Sequence, residues 1–316
     1  MQLVLSFVFY LFAIIALSST ASATEPLPYL PPIPADNTMS PAKIELGKML
    51  FFDPRLSSSE AVSCASCHNP SFAFTDRIPR ALGHKHQVGP RNTPTVLNSA
   101  FLKNQFWDGR ATTLEDQALG PIQAPGEMNE KLENVVVKLK GIPAYVKLFK
   151  ESFGDKDPVT PANIAKSLAA FERTLTTLNA PFDRYIMGDE EAISPDARRG
   201  WALFQNKGCV GCHSGANFSN SGFFRIQVPG STDLGRFEVT KKEEDKYKFR
   251  VQSLRNIALT YPYFNNGSVR ELPQAVRIMA REMLKIEPKE DEVLDIVAFL
   301  ESLSGEMPKF NYPVLP

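Results

Sequence analysis

The chain places all four of its cysteines in two copies of one pentapeptide. Residues 64–68 read Cys-Ala-Ser-Cys-His and residues 209–213 read Cys-Val-Gly-Cys-His. Two thiols at this spacing, followed at once by a histidine, form the pattern that attaches a c-type haem, in which the cysteines bond the vinyl groups and the imidazole binds the iron. Two copies predict two covalently bound haem c groups, held by Cys64, Cys67 and His68 and by Cys209, Cys212 and His213.

Other uses of paired cysteines explain less of the pattern. Four-cysteine zinc sites usually have their Cys-x-x-Cys pairs about 15–20 residues apart, whereas these two pairs lie in different halves of the chain. A thioredoxin-like redox pair would need a surrounding βαβ pattern, and strand-like alternation is scarce here. Disulfides stay open for an exported chain, but the histidine after each pair favours haem attachment.

Both halves of the chain repeat the same features around their motif, which predicts one haem domain per half. Ser40-Pro41 and Ser194-Pro195 each predict a helix start, because Ser is a good N-cap and Pro fits the first helical position. Apolar residues at helical spacing predict a closing helix in each half. These residues are Ile164, Leu168, Phe171 and Leu175 in the first half and Val293, Ile296, Val297 and Leu300, followed by Gly305, in the second.

Two shorter segments also recur in the two halves. Phe106-Trp107-Asp108-Gly109 matches Phe264-Asn265-Asn266-Gly267, and Arg91-Asn92 matches Arg255-Asn256. The predicted fold class is mainly α, with two cytochrome c-like haem domains, and the 25 prolines predict long ordered loops between helices. We place the domain boundary near residues 177–193, which gives an N-terminal domain over 24–180 and a C-terminal domain over 181–316.

The first 23 residues have the pattern of an export signal. Residues 3–17 are almost wholly apolar, and Ala21-Ser22-Ala23 fits a small-residue cleavage site. No Lys or Arg precedes the apolar run, and its length is close to the shortest that spans a bilayer, so an uncleaved anchor is the alternative. We expect a signal peptide over 1–23 and a periplasmic mature chain. The net charge of zero argues against a broad basic surface for nucleic acid.

The second axial ligand of each iron decides whether a haem carries electrons or performs chemistry. Besides the two motif histidines the chain has only His84 and His86, both in segment 81–90, which contains glycines at each end. We expect this segment to be a mobile loop close to the first haem. For His86 we expect a solvated surface position.

The second half has no spare histidine, so its distal ligand is expected to be a methionine. Met279 and Met283 are four residues apart on a helix predicted over 271–284, and Met187 is a more distant candidate. Core packing is the alternative role of both helical methionines. A haem with Met and His ligands would have the raised potential that an electron-entry site needs.

The chain resembles the bacterial di-haem cytochrome c peroxidases from about residue 40 to about residue 306. Beside the haem motifs, five segments stand where the family has them: GPRNTPTVLNSAF (89–101), QFWDGRATTLEDQALGPI (105–122), EM (127–128), SLRNIALTYPYF (253–264) and AVRIMA (275–280). The resemblance implies an N-terminal low-potential haem that reduces hydrogen peroxide to water. It also implies a C-terminal high-potential haem that accepts electrons from a small donor protein, a cytochrome c or a cupredoxin.

The resemblance also implies roles for individual residues. His68 would be the proximal ligand of the peroxidatic haem and His84 its removable distal ligand, and Met279 would be the distal ligand opposite His213. Glu127 and Gln117 would line the distal pocket, and Trp107 would lie between the haems. A calcium ion at the domain junction would be bound by the side chain of Asn92 and the backbone carbonyls of Thr260 and Pro262. Oxygen ligands of this kind suit calcium.

The role of Glu127 agrees with what breaking a peroxide bond requires. A base must take the proton from one peroxide oxygen and return it to the other as water leaves. A carboxylate in a partly desolvated pocket can do both, and Glu127 follows Ala124-Pro125-Gly126, a turn that could present it. The resemblance further implies that reduction of the second haem shifts loop 81–90 and releases His84, although some relatives are active without this step.

One position departs from the family pattern. Asn265-Asn266 stand where the family usually has His-Asp, which could alter the second haem's potential or the activation step. Two other functions stay open: a di-haem electron carrier, and a relative that oxidises a protein side chain, as the methylamine-dehydrogenase maturation enzymes do. Those enzymes have Tyr as the distal ligand, so Met279 argues against them, and Glu127 and Gln117 argue against the carrier. The family is often dimeric, so a homodimer is one option for the assembly.

Overall fold

The computed structural model describes residues 24–316, so the predicted signal peptide and its alternative as an anchor lie outside the described residues. Helices dominate this part of the chain, and the mainly α fold class is confirmed. The α-helices are α1 (Pro41–Phe52), α2 (Cys64–Cys67), α3 (Leu114–Gln123), α4 (Leu132–Lys140), α5 (Pro143–Phe153), α6 (Pro161–Glu172), α7 (Pro181–Ile186), α8 (Pro195–Asn206), α9 (Phe237–Thr240), α10 (Leu272–Met279) and α11 (Glu290–Glu301). Two short strands, β1 (Phe223–Arg225) and β2 (Lys248–Arg250), pair antiparallel. Within 24–316, no helix has the length and apolar character needed to cross a membrane.

The first hydrophobic core forms where α1 crosses α6. Ser40 caps α1 as predicted, because its side-chain oxygen accepts a backbone hydrogen bond from the first turn. Phe51 of α1 packs edge-on against Phe171 of α6, with ring centroids 5.3 Å apart. The four apolar residues predicted for a closing helix are all buried. However, α6 ends at Glu172, so Leu175 lies in the turn that follows the helix.

The second hydrophobic core repeats this arrangement with α8 and α11. Ser194 caps α8 in the same way, and Phe204 of α8 packs against Phe299 of α11 with ring centroids 5.1 Å apart. Three of the four predicted apolar positions of α11 are buried, whereas Val297 is half-buried. Phe299 is fully buried instead, so the face of α11 that packs inward is rotated slightly from the predicted one.

Glycine allows the helices of each pair to approach closely. A Cβ atom on Gly47 of α1 would lie 1.8 Å from the carbonyl oxygen of Ser167 in α6. A Cβ atom on Gly200 of α8 would lie 1.8 Å from the carbonyl oxygen of Asp295 in α11. Both glycines occupy the same place in the repeated segment that precedes a haem motif, so the two halves share one mode of helix crossing.

The recurring Phe-x-x-Gly segments adopt the same backbone conformation. Phe106 and Phe264 have φ values of 67° and 69°, and Gly109 and Gly267 have φ values of 68° and 61°. Each segment lies inside a small loop closed by an antiparallel bridge. The predicted structural repeat of these two segments is therefore confirmed.

The other predicted match, between Arg91-Asn92 and Arg255-Asn256, is wrong. Asn256 has a left-handed backbone conformation (φ 61°) and stands directly before a 3₁₀ turn. In the first half Asn98 has this conformation (φ 58°) and this position, so Asn98 and not Asn92 is the equivalent of Asn256. Thr177 joins these two equivalent residues. Its Oγ1 accepts a hydrogen bond from the side-chain amide of Asn98 (2.7 Å) and another from that of Asn256 (2.8 Å). The connection between the halves thus starts at a point of contact with both.

The C-terminal tail crosses back to the first half of the chain. Phe310 packs against Phe74 and Phe171, with ring centroids 6.1 Å and 5.8 Å apart. Tyr312 lies against Phe52, with ring centroids 5.4 Å apart. The tail therefore covers the first hydrophobic core, although the residues before it belong to the second.

Candidate functional site

A cavity of about 160 Å³ lies beside the first pentapeptide, and we call it the N-terminal cavity. Cys67 and His68 line it, together with Gln117 and Glu127 from α3 and the turn that follows this helix. Two polar side chains able to exchange protons or hydrogen bonds with a small molecule therefore share one cavity with the expected haem-attachment residues.

A larger cavity of about 270 Å³ lies beside the second pentapeptide, and we call it the C-terminal cavity. Its lining is mostly apolar and includes Cys209, Cys212 and His213. Met279 and Met283 also line it, so the structure does not choose between the two candidate ligands. Met187 is 64% exposed and lines neither cavity.

The helix predicted over 271–284 is present, but it changes from α to π type near its end. The α-helix ends at Met279 and continues as a π-helical turn from Ala280 to Leu284. A π turn has a wider hydrogen-bonding pattern than an α-helix and often marks a functional site. This local widening places Met279 at the change of helix type, where it faces the same cavity as Met283.

Both motif histidines are oriented alike. Nδ1 of His68 donates to the carbonyl oxygen of Phe74 (3.3 Å), and Nδ1 of His213 donates to that of Phe218 (3.2 Å). Because a carbonyl oxygen only accepts, each Nδ1 carries the proton and each Nε2 keeps its lone pair for a metal. Burial lowers the pKa of His213 to about 4, so its imidazole is neutral at pH 7 and able to coordinate.

The cysteines are arranged for haem attachment rather than for the alternatives. All four are free of disulfides, and in residues 24–316 no cluster of three or more His, Cys, Asp or Glu side chains could hold a metal ion by itself. Burial raises the pKa of Cys67 to about 12 and that of Cys209 to about 11, so neither is a stable thiolate. The residues present therefore fit two covalently attached haems.

Glu127 is presented by the predicted turn after α3. Its backbone N donates to the carbonyl oxygen of Ala124 (2.9 Å), which closes the turn. Burial raises the pKa of its carboxyl, and the charge of Arg110, which also lines the N-terminal cavity, partly opposes this rise. Both effects follow from a half-enclosed position, because desolvation favours the neutral acid and a nearby cation favours the carboxylate.

Loop 81–90 forms a small hairpin over this turn. Gly83 approaches the turn so closely that a Cβ atom on it would lie 2.0 Å from the carbonyl oxygen of Gly126. The backbone N of His84 donates to the carbonyl oxygen of Glu127 (2.7 Å), and Nδ1 of His84 lies 3.1 Å from Oγ of Ser58. His84 is buried but does not line the N-terminal cavity. The structure thus links the loop to Glu127 without placing the imidazole of His84 in the cavity.

His86 lies on the outer side of the hairpin and is exposed, as expected. Its φ of 58° and the φ of 53° at Lys85 are both left-handed. Non-glycine residues hold such a conformation at a cost of roughly 1–3 kcal/mol, and they cluster at segments that switch. The tip of the hairpin therefore carries backbone strain.

Among the described residues, seven line both cavities: Asn92, Thr93, Pro94, Thr95, Leu102, Trp107 and Arg250. Trp107, which the resemblance places between the haems, is one of these residues, and its Nε1 donates to the backbone carbonyl of Asn92 (2.9 Å). Arg250, which the sequence analysis missed, is only 3% exposed. Its guanidinium donates to neutral acceptors, among them the carbonyl of Phe106 (3.1 Å) and the amide of Gln252 (2.9 Å).

The environment of Arg250 supports the fit of an acidic cofactor. Burial lowers the pKa of its guanidinium to about 10, with the charge of Asp108 opposing this effect. A buried cation with only neutral hydrogen-bond acceptors favours binding of an anion. Haem carries two propionates, so this residue adds a charge argument to the motif evidence. The only sequence signal was an arginine between the apolar residues Phe249 and Val251.

The three residues implied for calcium also lie together. Asn92, Thr260 and Pro262 all line the C-terminal cavity. The side-chain nitrogen of Asn92 donates to the carbonyls of Ile78 (3.0 Å) and Pro79 (3.3 Å). This orientation leaves its Oδ1 as the acceptor, and within 24–316 no group donates a hydrogen bond to that atom. The donor set of one amide and two carbonyl oxygens fits a hard cation.

Asn265, where the family usually has His, is buried at the same junction. Its side-chain nitrogen donates to Oγ of Ser231 and to Oδ2 of Asp233, both at 3.1 Å. Its carbonyl accepts from the backbone N of Asn92 (2.7 Å). Asp233 also pairs with Arg91, which joins the halves by a further ion pair. The side-chain amide of Asn265 therefore acts at this position as a hydrogen-bond donor to the carboxylate of Asp233.

Two haem-attachment sites on a helical fold, one with a carboxyl and an amide in its cavity, define a class: a di-haem c-type cytochrome built for chemistry at one haem. Comparison with known proteins specifies it. The family described as di-haem cytochrome c peroxidase matches residues 41–191, and the cytochrome c family matches residues 197–304. The cytochrome c551 peroxidase of Nitrosomonas europaea is 44% identical over 96% of this chain and 91% of that protein.

The similarity extends to a second group of relatives. The methylamine utilization protein MauG of Methylorubrum extorquens is 43% identical over 90% of this chain and 84% of that protein. The crystal structure of a MauG-like protein associated with microbial copper homeostasis superposes with a TM-score of 0.81 at 29% identity, covering 89% of this chain and 95% of that one.

The chain belongs to the di-haem cytochrome c peroxidase family. It is an oxidoreductase of the cytochrome-c peroxidase class with two haem c groups, and this class uses hydrogen peroxide and a cytochrome electron donor.

Proposed function

We propose that this chain reduces hydrogen peroxide to water in its N-terminal cavity, with electrons that a small periplasmic donor delivers beside the C-terminal cavity. The donor would be a cytochrome c or a cupredoxin. The observation that carries the proposal is the carboxyl of Glu127, which shares one cavity with His68 and Gln117. The C-terminal cavity has a mostly apolar lining with methionines, and among residues 24–316 no carboxyl lines it.

In this proposal the protein side chains handle the proton while haem supplies electron transfer and Lewis-acid activation of peroxide. The carboxylate of Glu127 accepts the proton from one peroxide oxygen and returns it to the other as the O–O bond breaks, so that water leaves. The amide of Gln117 orients peroxide by a hydrogen bond. Trp107 is the aromatic residue that lines both cavities among the described residues, and in this proposal it carries electrons between them.

The two cavities would belong to separate functional domains, a peroxidatic one over 24–180 and an electron-transfer one over 181–316. Met279 would be the distal ligand opposite His213, and His84 would be the removable distal ligand opposite His68. Support for a gate comes from the hairpin itself, because the backbone bond from His84 to Glu127 couples any movement of the loop to the catalytic carboxyl. The left-handed residues at its tip are typical of a segment with two positions.

Three further properties belong to the proposal. The export pattern of residues 1–23 supports a periplasmic location. Within 24–316 no group donates a hydrogen bond to Oδ1 of Asn92, and Asn92, Thr260 and Pro262 line one cavity, which supports a calcium ion at the junction. A homodimer is proposed from the family resemblance alone, and gel filtration of the haem-loaded protein tests it, since a monomeric mass would contradict it.

The test uses haem-loaded mature protein with calcium, poised at one electron per molecule and followed by EPR during addition of peroxide. We expect a high-spin signal at one haem that peroxide abolishes. In Glu127→Gln the signal should persist while peroxide turnover falls about 10²–10⁴-fold, the usual contribution of general acid–base catalysis. The matched control is Glu133→Gln on the exposed face of α4, which should behave as wild type.

Each other outcome of this experiment removes part of the proposal. Unchanged turnover in Glu127→Gln would exclude this residue from the mechanism. A high-spin signal already present in the oxidised protein would contradict the gate formed by His84. Two low-spin haems that ignore peroxide in every redox state would leave an electron carrier.

A second candidate is oxidation of a protein side chain, which the 43% identity to a MauG protein favours. The methionines in the C-terminal cavity favour the peroxidase, because the resemblance assigns Tyr as distal ligand in the protein-oxidising relatives. Donor oxidation separates the two candidates. Rapid oxidation of two cytochrome c molecules per peroxide supports the peroxidase, and negligible oxidation of any small donor favours the second candidate.

A further inference from the structure

A second carboxyl faces the N-terminal cavity, and the mechanism above does not use it. Glu172, the last residue of α6, is 6% exposed and lines this cavity. Within 24–316 no backbone or side-chain group donates a hydrogen bond to its carboxyl. Buried carboxyl groups are normally paired or hydrogen-bonded, so an unpartnered one that faces a reaction cavity needs an explanation.

The charged groups next to Glu172, and those on the helices that pack against α6, are engaged elsewhere. Arg173, the next residue, forms a bidentate pair with Glu115 of α3, at 2.7 Å and 3.0 Å. On α1 the ammonium of Lys43 is held by Asn37 and by the carbonyl of Thr38. On α4 the ammonium of Lys138 lies 2.8 Å from Glu130.

The cations that line the cavity itself are also engaged. Arg110 pairs with Asp108 (2.9 Å), and Arg250 is bonded to carbonyl and amide oxygens. Glu127 lines the same cavity, and Cys64 of α2 is close enough to Glu172 for the two groups to interact electrostatically. A carboxylate at Glu172 would therefore be buried without a counter-charge of its own.

Because no partner compensates a negative charge, the neutral acid is the stable form of this group. Burial raises the pKa of Glu172 to about 8, while Arg173 opposes and Glu115 reinforces the rise. Glu172 therefore holds a proton inside the cavity at neutral pH, whereas a paired carboxyl such as Glu130 has its pKa lowered, as its bonds to Lys138 overcome desolvation.

The proposed reaction consumes protons as well as electrons. Reduction of one peroxide to two waters takes up two electrons from the donor and two protons from solvent, and the proton that Glu127 moves is peroxide's own. The remaining two protons must enter an enclosed cavity that is lined by only two carboxyl groups among the described residues.

We propose that Glu172 is the proton-carrying residue of the N-terminal cavity, which takes a proton from solvent and delivers it to the second peroxide oxygen, the one that becomes water after the first water has left. This inference rests on the proposed peroxidase function. In each turnover the O–H bond of the Glu172 acid breaks, a new O–H bond forms on the second peroxide oxygen as donor electrons reduce it to water, and the carboxylate is reprotonated from solvent. The electrons come from the donor protein, so the step needs no further reactant.

The experiment measures the midpoint potential of the N-terminal haem against pH, which does not depend on turnover. In the wild type the midpoint potential should fall as the pH rises across a window that includes pH 8. The limiting slope is about 59 mV per pH unit, which corresponds to a tenfold change in the equilibrium constant of a one-electron couple. In Glu172→Gln, which keeps shape and cannot ionise, the slope in this window should vanish. In Glu172→Asp, which restores a carboxyl, the slope should return.

The matched control is Glu130→Gln, which removes a buried carboxyl that lies outside the cavity and should keep the wild-type slope. Peroxide turnover should fall at least tenfold in Glu172→Gln, and the alkaline limb of the wild-type profile should disappear. A wild-type potential that does not vary with pH would overturn the proposal even if no variant folds, as would an unchanged slope in Glu172→Gln. Full turnover in Glu127→Gln would instead overturn the peroxidase mechanism while leaving the potential measurement interpretable.

Discussion

At the scale of single residues, partners decide what each carboxyl can do. Asp53 accepts hydrogen bonds from Arg55 and Tyr145, and the pKa of its carboxyl is lowered because these bonds outweigh its desolvation. Glu127 and Glu172 are desolvated beside the cavity, no residue within 24–316 donates a hydrogen bond to either carboxyl, and their pKa values are raised. The same side-chain chemistry therefore anchors structure in one place and holds a mobile proton in the other.

Arg110 is expected to set the acid limb of peroxide turnover. Its charge lowers the pKa of Glu127 and opposes the effect of burial. Below that pKa the carboxyl is protonated and cannot accept a proton from peroxide, so kcat/KM falls as the pH falls through it. Arg110→Ala removes the charge and raises the pKa further, which should move the acid limb to higher pH. A pH profile of kcat/KM from pH 4 to pH 9 measures this shift.

The control for this prediction is Arg110→Lys, which keeps a positive charge at the same position. Its acid limb should stay close to that of the wild type. If Arg110→Ala leaves the limb in place, then either Glu127 is not the titrating base or its pKa is insensitive to this cation.

At the scale of elements, the sequence predicts the helix starts and the haem motifs but not the fine geometry. Ser40 and Ser194 are N-caps because a side-chain oxygen next to Pro fits only the first turn of a helix, which is a local effect. The end of α10 at Met279 was missed because the π turn that follows depends on how α10 packs beside the C-terminal cavity. The inward face of α11 was predicted wrongly at one position for the same reason. Packing against α8 buries Phe299 rather than Val297.

The glycine at each helix crossing is expected to be essential for packing. In a solvated helix, Gly→Ala stabilises by about 1 kcal/mol. At Gly200 the added Cβ would meet the backbone of Asp295 at 1.8 Å, and backbone cannot rotate away, so Gly200→Ala should lower the free energy of unfolding by about 1–3 kcal/mol. Thermal unfolding of the haem-loaded protein measures this, and Gly47→Ala should have a similar effect.

The critical result is whether Gly200→Ala lowers or raises the free energy of unfolding. Gly211→Ala is the control, because a Cβ at Gly211 meets nothing within 4 Å and should leave the unfolding midpoint nearly unchanged. A Gly200→Ala variant as stable as the wild type would mean that α8 and α11 can separate freely, and the shared crossing would then carry no energetic weight.

At the scale of the whole molecule, the two halves could be recognised from sequence but their connection could not. Repeats within each half are local patterns, and both the Phe-x-x-Gly loops and the helix pairs follow them. The bridge from Thr177 to Asn98 and Asn256 spans 79 residues in each direction, and no short-range pattern marks it. Arg250 and Glu172 were missed likewise, because their roles come from what lies across a cavity rather than beside them in the chain.

Calcium is expected to stabilise the junction of the two halves. Asn92 is fixed there by its backbone bonds to Trp107 and Asn265, so its free Oδ1 is already positioned for a cation. A ligand that binds only the folded state at 100 times its Kd adds about 2.7 kcal/mol to the free energy of unfolding. Chelation should therefore lower the unfolding midpoint of the haem-loaded wild type, and added calcium should restore it.

In Asn92→Ala the midpoint should no longer respond to calcium. The control is Asn266→Ala at a nearby asparagine whose side chain bonds the carbonyl of Pro229, and there the response should persist. If calcium does not change the wild-type midpoint, no calcium ion bridges the halves, and they are held together by direct contacts such as those of Thr177, Arg91 and Asn265.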